Sequence, residues 1–273
     1  MVRKFILSAL ASATLAGLSL PAAAQSWVAR HGMSAGQYQS AFDTFTAKGY
    51  RLTDVSAYNV GGQARYAAIW AKQGGPAWQA RHGLSAAQYQ KAFDALASRG
   101  YAPAFLDGMG GGAGVFAAMW QKNSAPFVAR HGLSSAQYQA EFTKWTSRGY
   151  RLVDVSGYQA GGKARYAAIW KKQPGGAYVA RHDMSPAQYQ QASNTFTAQG
   201  YKPVHVDGFS VGGQPRFAAI WAKQGGAYVA RHGLTGSGYQ AEFDTWRAKG
   251  YRLVDVSGYN QGGQARYAAI WHK

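Results

Sequence analysis

The chain has 273 residues, is 14% aromatic, contains no cysteine, and sets 29 basic against 11 acidic side chains for a formal net charge of +18. The lack of cysteine excludes a disulfide framework, thiol catalysis and thiolate metal sites, so stability must come from packing. The charge favours polyanionic partners, but the cations are spread evenly and form no basic tail, which argues against specific nucleic-acid recognition.

Residues 1–24 read as a cleavable secretory signal: Arg3 and Lys4, an apolar stretch from Phe5 to Leu20, then small residues up to Ala24. The apolar core is short and broken by Ser8, Ser12, Thr14 and Ser19, unlike a membrane anchor, and no later segment reaches transmembrane length. Cleavage before Gln25 would remove Arg3 and Lys4, leave +16, and send the chain to the periplasm or outside the cell.

Residues 25–273 read as one repeat domain of five units of about fifty residues, at approximately 27–76, 77–125, 126–176, 177–226 and 227–273. An Ala-Arg-His marker recurs with histidines at His31, His82, His131, His182 and His232, spaced 51, 49, 51 and 50 residues apart. Gly-Tyr recurs in phase at Tyr50, Tyr101, Tyr150, Tyr201 and Tyr251, and an apolar run ends at Trp70, Trp120, Trp170, Trp221 and Trp271. A unit this short cannot bury its own apolar face, so the copies must pack on one another.

The third unit shows the expected elements. Phe127 to Arg130 suits a short strand. Ser134 with Gln137 forms a capping box and opens a helix whose Tyr138, Phe142 and Trp145 share one face, with Gly149 as its stop. The caps recur as Ser34 with Gln37, Ser85 with Gln88 and Ser185 with Gln188, whereas Thr235 precedes Gly-Ser-Gly and opens a weaker start. Tyr150 to Tyr158 is strand-like, Gly161-Gly162 turns the chain, and Arg165 to Trp170 makes the next strand. Gly175-Gly176 then leads into Ala177 to Arg181, read as the third strand of the same sheet. The fold class is therefore an α+β repeat of five helix-plus-three-strand-meander units. The lone strand Trp27 to Arg30 is expected to pair with Arg266 to Trp271 and close a propeller-like toroid, the alternative being an open solenoid.

These repeats resemble a bacterial tandem-repeat domain of exported proteins, related to the N-terminal repeat region of fungal polyglycine hydrolases. The resemblance rests on the Ala-Arg-His-Gly-(Leu/Met)-Ser…Gln-Tyr-Gln, Gly-Tyr-Arg-Leu-x-Asp-Val and Gly-Gly-x-Ala-Arg-Tyr-Ala-Ala-Ile-Trp segments, and it covers the whole mature chain. It implies a repeat module without hydrolase activity, because the β-lactamase-like catalytic domain and its Ser-x-x-Lys, Ser-Asp-Asn and Lys-Thr-Gly motifs are absent.

The recurrent histidines stand before helices and are expected to be structural, not metal ligands. A Ser-His-Asp set can be drawn from Asp154, Ser156 and His131, with Asp154 and Ser156 on one strand face with Tyr150 and Leu152. The set repeats in several units and lacks a nucleophile turn, so no catalytic residue, metal or cofactor is assigned. Units two and four differ from the others. Pro103 and Pro203 enter, and the acid moves two places on, to Asp107 and Asp207; this is read as drift between old duplicates, the alternative being two kinds of surface pocket. The candidate ligand-binding residues are Tyr58, Arg65, Tyr158, Arg165, Tyr259 and Arg266, which flank the Gly-Gly turns beside Asn59, Gln159 and Asn260. The expected function is an exported multivalent binding module for an anionic or hydroxyl-rich polysaccharide or a Gly-rich peptide. A secreted hydrolase of peptide or cell-wall polymer and a self-assembling structural protein are the alternatives.

Overall fold

The computed structural model describes residues 26–112, 114–123 and 125–273; the signal segment expected at 1–24 lies outside these. Each unit runs strand, helix, strand, strand. Unit one is β1 (Trp27–Met33), α1 (Ala35–Ala47), β2 (Arg51–Val60) and β3 (Gln63–Ala71); unit two is β4 (Trp78–Ser85), α2 (Ala86–Ala97), β5 (Tyr101–Met109) and β6 (Val115–Lys122). Unit three is β7 (Phe127–Leu133), α3 (Ser135–Ser147), β8 (Arg151–Ala160) and β9 (Lys163–Lys171). Unit four is β10 (Tyr178–Met184), α4 (Pro186–Ala198), β11 (Lys202–Val211) and β12 (Gln214–Ala222); unit five is β13 (Tyr228–Leu234), α5 (Gly236–Ala248), β14 (Arg252–Gln261) and β15 (Gln264–His272). No helix among the described residues is long and apolar enough to cross a membrane.

The helix starts follow from their caps. Ser34, Ser85, Ser134 and Ser185 each accept from the backbone three residues on, while the paired glutamine returns a bond to the cap. Thr235 accepts from Gly238 N without a reciprocal side chain, as its Gly-Ser-Gly sequence requires.

Every unit forms its own three-stranded antiparallel sheet, and the order is β1-β3-β2 in the first and equivalent in the rest. The third strand is therefore the one before the helix, not the one after the second turn. Trp27 pairs with Ala71 and Arg30 with Ala68, while Ile270 and Trp271 pair with Ala230 and Val229. The exchanged-strand closure expected between Trp27–Arg30 and Arg266–Trp271 does not form, and the five sheets remain separate. The same pairing runs on past the strand ends, where Lys72 N donates to Ser26 O and Lys122 N to Ala77 O, so each first strand is held in its own sheet from its first residue.

The units instead share cores. Leu52 and Trp70 of unit one pack with Met109 and Ala117 of unit two, and Leu152 and Trp170 of unit three with Phe209 and Ile220 of unit four. Trp27, Tyr58 and Ile69 pack in the same way with Tyr239, Leu253 and Trp271 of unit five. The five buried tryptophans pack on the aromatics of their own helices, as Trp70 does on Tyr38 and Phe45, and the contacts a lone unit lacks are those to the neighbour, such as Met109 and Ala117 against Leu52.

A β-bulge breaks the alternation early in each second strand, between Leu52 and Asp54, between Leu152 and Asp154, and equivalently elsewhere. It corrects the expected face-sharing. Leu152 and Val155 enter the apolar core, whereas Asp154 and Ser156 turn to the neighbouring second strand.

Candidate binding surfaces

The second strands β2, β5, β8, β11 and β14 lie against one another along the middle of the molecule. There each unit supplies a carboxylate to its neighbour's backbone. Ala57 N donates to Asp107, Leu106 N to Asp154 (2.9 Å), Gly157 N to Asp207 (2.6 Å), Val206 N to Asp255 (2.9 Å) and Val256 N to Asp54 (2.8 Å). Serines of the odd units add a second link: Gly108 N to Ser156, Gly208 N to Ser257 and Gly258 N to Ser56. The shifted acids of units two and four stand at the place of the odd units' serines and accept the same backbone group, since Ala57 N and Gly157 N are the counterparts of Gly108, Gly208 and Gly258 N.

These acids are costly to bury. Burial pushes Asp107 and Asp154 up to about 6, and burial together with Asp255 holds Asp54 well above the usual carboxylate range. Burial and the neighbouring Asp107 do the same to Asp207. His205 supplies the compensating cation. Although burial disfavours its charge, Asp255 at 2.9 Å from Nδ1, Asp154 and the Val155 carbonyl together raise it well above the ordinary imidazole value.

The proposed triad is not assembled. Ser156 Oγ donates to Asp107 at 2.8 Å, Asp154 serves Leu106, and His131 packs on Tyr89 and Phe116 with Nε2 at 3.2 Å from Gln90. The other histidines repeat this placement: His82 on Tyr38 and Tyr66, His182 on Tyr138 and Tyr166, His232 on Tyr189 and Phe217, His31 on Tyr239 and Tyr267. Each imidazole latches its unit to the helix of the unit before it, and burial lowers its proton affinity.

The predicted tyrosines do come together. Tyr58, Tyr158 and Tyr259, with Asn59, Gln159 and Asn260, line a cavity of about 320 Å³ at the hairpin end of the second strands. Their rings are nonetheless almost wholly buried and their hydroxyls are engaged: Tyr58 with Tyr267 at 2.6 Å, Tyr158 with Gly132 N and Tyr259 with Gly233 N. Each ring sits over a glycine of the preceding unit, Gly258, Gly108 and Gly208, where a Cβ would collide with it. Arg65, Arg165 and Arg266 stand opposite these tyrosines in the strand pairs, half-buried, and do not line the cavity. Unit two has Gly114 in place of the arginine, and a Cβ there would press on Tyr158.

The opposite end of the sheets was not singled out from the sequence. Helix ends, the starts of the second strands and the ends of the third strands meet there, and exposed cations gather around half-buried rings. Lys72 lies 5.8 Å from the Tyr50 ring centroid, Lys122 4.9 Å from Tyr101, Lys223 5.2 Å from Tyr201 and Lys273 5.6 Å from Tyr251. No acid stands in the helix C-terminal residues or strand ends here, although Glu141 and Glu242, a turn back, accept from the Trp145 and Trp246 rings beneath Arg148 and Lys249. Five acids occupy the middle of the molecule, Asp43, Asp94, Glu141, Glu242 and Asp244 sit on helix bodies, and Asp183 stands in the bulge before α4.

The fold and its sharing of cores between like units define a tandem structural-repeat protein. The family model described as "Polyglycine hydrolase-like, structural repeat" matches five times, at residues 24–73, 75–123, 124–173, 175–224 and 225–273, and the chain belongs to that family. Comparison with curated proteins finds no match.

Proposed function

We propose that this chain is an exported, non-catalytic binding module that docks on a polyanion through the end where its helices terminate. The observation that supports this reading is the excess of exposed cations at that end. Lys48 with Lys72, Arg99 with Lys122, Arg148 with Lys172, Lys249 with Lys273, and Lys223 in unit four are all exposed, with no acid among them. Helix C-terminal dipoles attract these side chains to the same rim, and repetition from unit to unit makes the surface multivalent. An envelope polysaccharide bearing carboxylates or phosphates has the matching charge spacing along one flexible chain, and export brings it within reach.

Titration of the mature protein with polygalacturonate at about 50 and 150 mM salt tests the reading, since a surface of exposed cations weakens as screening grows. Replacing Lys48, Lys72, Lys249 and Lys273 together by glutamine is expected to lower affinity several-fold. Replacing Arg65, Arg165 and Arg266 by alanine is the contrast, and a larger loss there would move the site to the hairpin end. Unchanged binding by the lysine variant would defeat the proposal.

A further inference from the structure

One helix departs from its four sisters in a way the repeat does not require. After the conserved helix tyrosine, units one, two, three and five place a phenylalanine four residues on, at Phe42, Phe93, Phe142 and Phe243. Each ring fills the groove toward the next unit's first strand. Centroid separations are 5.7 Å for Phe42 with Trp78, 6.1 Å for Phe93 with Phe127, 6.4 Å for Phe142 with Tyr178 and 5.4 Å for Phe243 with Trp27. Unit four has Ser193 there, followed by Asn194 where the sisters have Asp43, Asp94, Thr143 and Asp244. Helix α4 carries no charged residue at all.

A cleft of about 520 Å³ lies between α4 and β13, lined by Gln190, Ser193, Asn194, Thr197, Tyr228 and Arg231 among others. The groove between α2 and β7 is of similar size, about 450 Å³, but there Phe93 and Phe127 line it. In unit four the lining is amide and hydroxyl. Gln190 Nε2 donates to Asn194 Oδ1 at 2.8 Å, His232 Nε2 lies 2.9 Å from Gln190 Oε1, and Thr197 Oγ1 lies 2.9 Å from the Tyr228 hydroxyl. Arg231 is held aside by Glu242 at 3.4 Å. These contacts fix the polar groups in place yet leave the Asn194 amide N–H₂ without a protein partner among the described residues. Tyr228, half-buried, has no aromatic neighbour from α4, and Lys202 Nζ lies 5.9 Å from its ring centroid.

We propose that this cleft binds one pyranose residue of an uncharged, hydroxyl-rich oligosaccharide. Vicinal sugar hydroxyls need closely set donors and acceptors, which the Gln190-Asn194 and Thr197-Tyr228 pairs provide. The apolar face of the sugar ring takes the position the phenylalanine fills in the other units, against Tyr228. Helix α4 brings no charge to the cleft, and Arg231 on the opposite wall is paired with Glu242, so the site does not require an ionic ligand although it adjoins the cationic end.

The test is calorimetric titration of the mature protein with cellohexaose, maltohexaose and chitohexaose at physiological salt. At least one is expected to bind, and Ser193→Phe, which restores the sister residue, is expected to weaken it by at least about tenfold while leaving thermal stability equal or higher. Tyr228→Ala gives a second loss through the opposite wall. Ser193→Phe should keep polygalacturonate binding, and the lysine-to-glutamine variant should keep saccharide binding, which separates failure of this site from failure of the other. Wild-type silence toward all three sugars, or a Ser193→Phe variant that binds them as wild type does, would overturn the proposal.

Discussion

The junction between units four and five and the junction between units five and one use the same hydrogen bonds with different charges. In the first, Val206 and Gly208 donate to Asp255 and Ser257; in the second, Val256 and Gly258 donate to Asp54 and Ser56. The difference lies in the residue beside the accepting acid. Unit four presents His205 at that place, but unit five presents another carboxylate, Asp255. Two residue patterns alternate along the chain, and an odd number of units leaves one pair of like neighbours. The molecule tolerates this mismatch by two means. Burial and Asp255 hold a proton on Asp54, and His205 brings a cation to Asp255 from the other side.

The strongest way to break this comparison is His205→Phe, which gives unit four the Phe105 of unit two. Removing the cation leaves Asp255 without its ion-pair partner and Asp154 with Lys171 alone, and a loss of about 3–5 kcal/mol in urea unfolding is expected at neutral pH. The loss should shrink toward pH 5, where Asp154 takes a proton. A pH-independent loss would mean that His205 acts only by filling space.

Next is Gly258→Ala, which forces a methyl into the Tyr58 ring at the mismatched junction. Overpacking of this kind costs about 1–3 kcal/mol. Adding Tyr58→Met should recover part of it, because unit two already joins Met109 to Ala57 in a shared core.

Asp54→Asn sharpens the electrostatic side. An acid whose folded value is raised stabilises the fold in its protonated form, below the unfolded value near 3.8, and that contribution fades as pH rises through the folded value. The amide should therefore stabilise by about 1 kcal/mol near pH 8 and do nothing near pH 4. A destabilised variant at pH 8 would show that Val256 needs a charged acceptor.

The smallest effect concerns the histidine latches, which are alike at every junction. Their lowered values mean that their contribution is complete above about pH 6.5 and is lost as pH falls through the folded values. The buried acids act in the opposite direction between about 6 and 3.8, so the whole-protein slope is a difference. His82→Gln isolates one latch. It should reduce the stability lost between about pH 7 and 5.5 by a few tenths of a kcal/mol, and an unchanged profile would show that the imidazole stays neutral throughout.

Much of the local structure was legible. Ser34 with Gln37 and its three counterparts marked the helix starts, Gly61-Gly62 and its counterparts marked the hairpins, and the in-phase tryptophans marked the core. The candidate site was legible in part. Tyr58, Tyr158 and Tyr259 were read as separate ligand contacts, one per unit, whereas the structure gathers them as buried braces whose hydroxyls are already bonded. A signal was available: Gly108, Gly208 and Gly258 sit one place before the aromatic position in their own strands, and such glycines mark close approach by something bulky. Ser193 was also visible, as the one gap in an otherwise regular column of phenylalanines.

By itself the sequence determined the period, the helix caps, the turns and the apolar faces, because these depend on contacts within a few residues. Only the tertiary structure decided which sheet each first strand joins. In a tandem repeat a strand between two units has equivalent partners on both sides, so local pattern cannot choose; the pairing within each unit, which the bonds from Lys72 to Ser26 and from Lys122 to Ala77 extend, does. It likewise decided the meaning of the shifted acids. Asp107 and Asp54 look like displaced copies of one residue along the chain, yet they accept different backbone groups: Asp107 takes Ala57 N from the place the odd units give to serine, and Asp54 takes Val256 N, two residues before the counterpart of Ala57.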